Sequence, residues 1–405
     1  MSAHPYASTL DACPFMPVFG PPLAMMERGE GCWLWDDEGH RYLDLLAGIA
    51  VVSLGHAHPA VAEAISDQAG RLLHVSNFFA NRPATDAAIT LDELLEAATG
   101  TSGQVFFTNS GAESVECAIK LARKHGGRGR HTVVSMFGSF HGRTLAALAA
   151  TGQPAKHEPF APMPEGFRHV TYGDLEQTIQ ALDSTVAAVL LEPILGEGGV
   201  HEADVDFLRG VRAACDERGI LMIVDEIQTG LGRTGRWFGF EEAGISPDVV
   251  PLAKALGNGV PVGACWARHE VAAVFEPGDH GSTYSGTALA TAAVNATLSE
   301  LRAIDAPSRA QEYGKRLASA VDAIDGVVQM RGRGLMLAAV LDRDLDARAV
   351  AQAAFARGII VNAVAPDALR FVPPLIIGDE EIECAAGGLA SAIDDVRVQH
   401  NEVRS

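Results

Sequence analysis

Ile220-Leu221-Met222-Ile223-Val224-Asp225-Glu226, followed by Val249-Val250-Pro251-Leu252-Ala253-Lys254, places two short apolar runs close together in the chain and ends each on charge. Runs of this length, apolar without alternation, suit strands buried on both faces of a parallel sheet. Charges that close such strands lie at their carboxyl ends, where open α/β sheets bind ligands. The spacing between Asp225 and Lys254 leaves room for one crossover between neighbouring parallel strands. Both are therefore expected to face one cleft, as a functional pair or as a structural salt bridge.

The surroundings of Lys254 add to this. Ala255-Leu256-Gly257-Asn258-Gly259 follow it, so its environment is small and largely apolar, and desolvation lowers an amine toward its nucleophilic free form. Such a lysine suits a Schiff base. A pyridinium cofactor needs a carboxylate at its ring nitrogen, because a protonated ring is the electron sink, and Asp225 is the matching group.

Asp225-Glu226-Ile227-Gln228-Thr229-Gly230, Gly232-Arg233-Thr234-Gly235 and Leu252-Ala253-Lys254 together resemble the signature of class III (subgroup II) pyridoxal-phosphate aminotransferases. The likeness runs almost end to end. It is nearest to the acetylornithine and ornithine-type ω-aminotransferases, through Arg28-Gly29-Glu30-Gly31, Leu54-Gly55-His56-Ala57-His58-Pro59, Phe140-His141-Gly142-Arg143-Thr144 and Glu192-Pro193. Several independent motifs in one order carry the resemblance; one alone would not. It implies an α/β fold of the aspartate-aminotransferase-like type (fold type I), with a mainly parallel large-domain sheet and a smaller α+β domain. It also implies pyridoxal 5'-phosphate as cofactor.

With 405 residues, the chain exceeds a usual single core, and two domains are expected. The resemblance divides it into an N-terminal arm with part of the small domain (1–58), a large cofactor-binding domain (59–294) and the rest of the small domain (295–405). A net charge of −20 argues against nucleic-acid or anionic-membrane partners, whose phosphates most of the surface would repel. Cys13, Cys32, Cys117, Cys215, Cys265 and Cys384 stand far apart with no Cys-x-x-Cys pair, so neither a metal site nor a disulfide framework is signalled. With no apolar run of membrane-spanning length and no basic leader into one, a soluble, cytoplasmic protein is expected.

Along the chain, residues 1 to about 22 read as an arm, and Gly31 to Asp36 as a strand leading to a turn at Asp37-Glu38-Gly39. Trp33 and Trp35 are expected to pack rather than to stack on a ligand. A helix follows His58-Pro59, marked by Val61, Ala64, Ile65 and Ala69. Ser110 with Glu113 forms a capping-box pattern, and such a helix start is also an anion site. The resemblance places the cofactor phosphate there, on Ser110, Gly111 and Ala112. Phe140 has the ring to cover a pyridine, and Arg143 the fork to hold a carboxylate; a core Phe and a surface Arg are the alternatives that the residues alone leave open. Toward the C-terminus the pattern reads as helices from about 295, over Ala310 to Ile324, over Ala347 to Ala356 and from Asp379, with a tight turn at Gly332-Arg333-Gly334 between two strands.

The remaining site residues rest on the resemblance. Gln228 is implied to bond the cofactor's ring hydroxyl, and Ser282-Thr283 to reach the neighbouring subunit's site, Thr283 on its phosphate. A homodimer with shared sites follows. A transaminase takes two substrates in turn, and an arginine needed only for the second must be masked during the first. The family masks it with a glutamate matching Glu197, paired to an arginine matching Arg370. Arg143 is implied to hold the substrate α-carboxylate. The implied reaction moves the ω-amine of N2-acetyl-L-ornithine to 2-oxoglutarate, giving N-acetylglutamate 5-semialdehyde and glutamate, a step of arginine biosynthesis. Ornithine, succinylornithine, 4-aminobutyrate or another diamine are alternative donors. An aminomutase of the same fold would not need the Glu197–Arg370 switch, and a nucleotide-binding oxidoreductase lacks its strand–GxGxxG–helix unit. Leu195, Thr287-Ala288 and Val52 depart from the acetylornithine group's usual residues without removing a catalytic group. Phe19 lacks the hydroxyl that ornithine-specific relatives place on the free α-amino group, which favours an N-acylated donor.

Overall fold

The computed structural model describes residues 16–404; residues 1–15 of the expected arm, Cys13 among them, lie outside. Strands β1 (Met26–Glu30), β2 (Trp33–Asp36) and β3 (Arg41–Asp44) form an antiparallel meander. Arg41 lies 4.0 Å over the Trp33 ring and Arg28 lies 3.7 Å over Trp35, so both indoles are engaged within the protein.

Helices α1 (Pro59–Ala69) and α2 (Arg82–Thr99) lead into a seven-stranded sheet. Its strands are β4 (Gly103–Thr108), β5 (Thr132–Met136), β6 (Phe167–Val170), β7 (Val186–Leu191), β10 (Leu221–Val224), β11 (Val249–Leu252) and β12 (Gly263–Arg268), in the order β4-β12-β11-β10-β7-β5-β6. Only β12 runs against its neighbours. Strands β8 (Ile194–Leu195) and β9 (His201–Glu202) make a separate small hairpin.

The unbroken apolar runs have a simple cause. Met222, Val224, Val250 and Leu252 point into one buried cluster, and Leu221, Ile223 and Val249 into another. Helix α3 (Gly111–Gly126) covers the second face through Val115, Ala118 and Ala122, and α4 (Val205–Arg218) covers the first through Phe207 and Val211. With both faces dry, neither half of the side-chain alternation can be polar.

Helix α5 (Ala288–Ala303) starts earlier than expected, and α6 (Ala306–Asp322) is displaced a few residues toward the N-terminus. The expected division at 294/295 falls inside α5, which packs on α1 and α2; we propose that the domains divide after it. Strands β11 and β12 are followed by β13 (Val327–Arg333) and β14 (Met336–Leu341), whose register pairs Arg333 with Met336. The turn is therefore Gly334-Leu335, and Gly332-Arg333 belongs to the strand. Helix α7 (Ala347–Ala356), strands β15 (Ile359–Ile360), β16 (Asn362–Ala365) and β17 (Ala368–Phe371), and helix α8 (Asp379–Arg404) complete the chain. β15 pairs with β3, joining the C-terminal region to the N-terminal meander.

Arg233 ties the two halves together. Its buried guanidinium donates to the Leu335 carbonyl at 3.1 Å, to the Pro373 carbonyl and to Ser53 Oγ at 3.0 Å. Burial lowers its pKa to about 9.

Candidate active site

The loops that leave β4, β5, β7, β10 and β11, with the loop entering β12, meet at one edge of the sheet. They enclose a cavity of about 410 Å³, lined among others by Ser110, Phe140, Asp225, Gln228 and Lys254. The two charges that close the apolar runs do share this cleft, because β10 and β11 are parallel neighbours.

Lys254 opens a short 3-10 turn with φ +46°. A left-handed conformation at a residue with a side chain costs on the order of 1–3 kcal/mol and persists where surroundings over-determine it. Burial, then the Arg370 guanidinium, lower its ammonium to about 8, against the opposing charges of Glu197, Asp225 and Glu192. Free amine is thus far more available near neutral pH than at an ordinary lysine.

Asp225 is 4% exposed. Its Oδ1 accepts from Ile227 N at 3.0 Å, and its Oδ2 lies 2.8 Å from His141 Nδ1. An ionised carboxylate only accepts, so Nδ1 carries the proton. His141 is held in turn by its backbone N–H on Thr151 Oγ1 at 2.9 Å. Glu192, also lining the cavity, accepts from Phe140 N at 2.9 Å and Gly196 N at 3.4 Å. Burial, offset by His141 and reinforced by Asp225, raises it to about 7. The sequence motifs contained His141 and Glu192, but these contacts join residues from different strands and leave no local signal.

Ser110 caps α3: its Oγ accepts from Glu113 N at 3.2 Å. The capping box is altered, since Glu113 reaches past Ser110 to Asn109, accepting from its backbone N and Nδ2, both at 2.8 Å. Ser110, Gly111 and Ala112 line the cavity, as do Phe140, Arg143 and Gln228. The Arg143 guanidinium lies 5.6 Å from the Phe140 ring centroid. Buried Gln228 Oε1 has no hydrogen-bond partner. It sits where a side chain at 196 would collide with it, 2.4 Å from an ideal Cβ on Gly196.

Glu197 and Arg370 meet across 173 residues, Arg370 NH1 donating to Glu197 Oε1 at 2.6 Å. The Arg370 side chain is fully buried, and its NH2 has no partner. Burial pulls Glu197 upward, yet the Arg370 charge and hydrogen bond outweigh it and leave the carboxyl below its usual range. Ser282 and Thr283 do not line the cavity. Ser282 Oγ accepts from Asn109 Nδ2 at 3.0 Å, and Thr283 is exposed.

Residues 17–393 match the family model of class-III aminotransferases. The chain belongs to that family. An acetylornithine aminotransferase of Methanopyrus kandleri is 50% identical over 368 residues, covering 90% of this chain and 93% of the relative. Among solved structures, an ornithine aminotransferase from Toxoplasma gondii superposes with a TM-score of 0.91 at 32% identity, over 98% of this chain and 95% of that one. N-acetylornithine aminotransferase from Stenotrophomonas maltophilia gives a TM-score of 0.81 at 35% identity, over 94% and 98%. This class-III aminotransferase has the fold type I architecture expected of it.

The family's cofactor is pyridoxal phosphate, and the residues present fit it. A helix N-terminus with a serine cap suits the phosphate, and a half-buried lysine with lowered basicity suits the aldehyde. A buried carboxylate suits the ring nitrogen, and the orphaned Gln228 Oε1 supplies an acceptor for the ring hydroxyl. Among the described residues, no cluster of His, Cys, Asp and Glu could hold a metal ion, and no helix is long and apolar enough to cross a membrane.

Proposed function

We propose that this class-III aminotransferase transfers the ω-amine of N2-acetyl-L-ornithine to 2-oxoglutarate. The observation that carries the reading is the Glu197–Arg370 ion pair, 2.6 Å long, on a fully buried guanidinium. With Glu197 in place, the Arg370 charge is neutralised, so that Arg143 is left to bind the donor's carboxylate and Arg370 does not compete for it. When Glu197 swings away, Arg370 is left desolvated and unpaired until a carboxylate replaces it, and 2-oxoglutarate brings one. The acetylornithine aminotransferases at 40–50% identity support the donor assignment.

Pyridoxal phosphate supplies an electron sink for the carbon that loses its proton. The chain's own residues do the rest. Lys254 would hold the cofactor through its aldehyde, and its amine, with basicity lowered by burial, would serve as the acid–base group that moves a proton at the donor's ω-carbon. Asp225, oriented by His141, would keep the ring nitrogen protonated. Phe140 would cover the ring, Gln228 would accept from its hydroxyl, and Ser110, Gly111 and Ala112 would hold the phosphate. Arg143 takes the substrate α-carboxylate.

A second copy completes the site in this reading, with Ser282 and Thr283 reaching its neighbour's cavity. Support comes from the surface beside them. Phe78, Phe79 and Tyr284 are 92%, 66% and 60% exposed, and Asn77 Nδ2 ties their two segments together through the Ser282 carbonyl at 3.0 Å. Such an apolar patch fits burial by a partner. A cytoplasmic location accords with the substrates.

Single turnovers of the purified enzyme with a donor panel test the donor. Acetylornithine is expected to bleach the lysine-bound cofactor absorption faster than ornithine, 4-aminobutyrate or a diamine; a faster donor among these overturns the assignment.

A further inference from the structure

Two turns along the helix that begins at the cavity, a separate pair of side chains carries chemistry of its own. Cys117 on α3 and Cys265 on β12 are 1% and 3% exposed, and both are free. Each thiol is the leading influence on the other's titration. Beside them is a cavity of about 210 Å³, lined by Val105, Phe106, Cys117, Leu121, Cys265 and Phe275 among others. That is room for several water-sized molecules.

The His280 ring packs near two phenyl rings of this cavity, its centroid 4.8 Å from that of Phe106 and 6.0 Å from that of Phe275. Lys120 Nζ is 3.0 Å from His280 Nδ1. An ammonium only donates, so Nδ1 accepts and the remaining ring N–H is Nε2. His280 in turn favours the Cys117 thiolate. The neighbouring Cys265 thiol lowers Cys117 to about 6 against the effect of burial, with His280 and the Lys120 charge assisting, while Cys265 rises well above its ordinary value. Cys32 and Cys215 lack this arrangement, and burial pushes both up to about 12.

We propose that Cys117 and Cys265 are a redox-reactive thiol pair, which a hydroperoxide entering this cavity converts to a disulfide between α3 and β12. The Cys117 thiolate attacks the O–O bond, forming an S–O bond and expelling an alcohol or water once the leaving oxygen is protonated. Cys265 then loses its proton and attacks the Cys117 sulfur, the S–S bond forms, and the hydroxyl leaves as water. Two thiols lose two electrons and two protons; the hydroperoxide becomes one alcohol or water and one further water. No residue of this pair belongs to the transamination site, and a dithiol reductant reverses the change.

The test uses the full-length, cofactor-loaded enzyme, treated with limiting hydrogen peroxide and mapped as non-reduced peptides. The expected result is a Cys117–Cys265 cross-linked peptide formed before exposed Cys384 is oxidised, with two titratable thiols lost. In Cys265→Ser the reaction is expected to stop at a Cys117 sulfenic acid, captured by dimedone. Alkylation of Cys117 is expected to be nearly flat above pH 7, while that of Cys384 climbs about tenfold per pH unit toward the ordinary thiol pKa near ~8.5. Oxidation at Cys384 with the pair still reduced overturns the proposal. A cross-link seen only after denaturation, or a Cys117 alkylation profile parallel to that of Cys384, does so too.

Discussion

Replacing Asp225 by Asn separates the charge of this side chain from its shape. The amide oxygen can keep the bond from Ile227 N, now 3.0 Å long, but the amide nitrogen then faces His141 Nδ1, which sits 2.8 Å from Oδ2. Two donors meet in a site where His141 is fully buried. A buried group left without its partner costs about 1–3 kcal/mol, and a hydrogen bond to an ionised group is worth roughly 1.5–3 kcal/mol at the cofactor nitrogen. Together these amount to about 2.5–6 kcal/mol, of which part falls on folding. At 1.36 kcal/mol per decade, a loss of about 10²- to 10⁴-fold is expected in both half-reactions. The assay is stopped-flow absorbance of each half-reaction, with thermal unfolding as the control for structure. Near-native rates in a variant that still binds the cofactor would refute the electron-sink role of Asp225.

Lys254→Ala is expected to abolish turnover while the protein retains pyridoxal phosphate by its phosphate grip; this is read by equilibrium dialysis and by loss of the lysine-bound absorption. Lys254→Met is expected to stabilise the cofactor-free protein at neutral pH, by at most about 3 kcal/mol in denaturant melts. Because the folded-state amine titrates near 8, below its ordinary ~10.4, the unfolded chain binds the extra proton between those values. The wild type therefore gains stability as pH rises through that window, and the advantage of the Met variant shrinks. Arg233→Ala strands two carbonyls and Ser53 Oγ, and a loss of about 2–4 kcal/mol in urea midpoints is expected.

Where the sequence was legible, one local rule sufficed. The buried strands β10 and β11 announced themselves because both faces are dry. Helix α7 spans the residues expected of it, and α8 starts at the expected Asp379, each a periodic segment with acidic or capping residues at its start. Helix α5 was seen late because Ala288 to Ala296 is mostly alanine, threonine and valine, which bury a stripe at Ala290, Thr291 and Val294 with little hydropathy contrast. The hairpin turn moved because Gly332 serves close packing rather than the turn: a Cβ there would lie 2.1 Å from the Met336 carbonyl oxygen. The pairings His141–Asp225, Glu192–Phe140 and Cys117–Cys265 join distant segments, and only topology brings them together. Glu197 and Arg370 were matched by family resemblance, since nothing in their own neighbourhoods joins them.

The masking of Arg370 by Glu197 is the centre of the account, and separate rates for the two half-reactions of Glu197→Ala and Arg370→Ala test it most directly. With Arg370 uncovered, glutamate and other α-amino acids are expected to react in the first half-reaction about ten- to a hundred-fold more readily relative to the ω-amine donor, the equivalent of roughly 1.5–3 kcal/mol for a charged hydrogen bond. Arg370→Ala is expected to cripple the 2-oxoglutarate half-reaction while sparing the donor one. Equal slowing of both half-reactions by each substitution would contradict the switch and leave Glu197–Arg370 an ordinary structural ion pair.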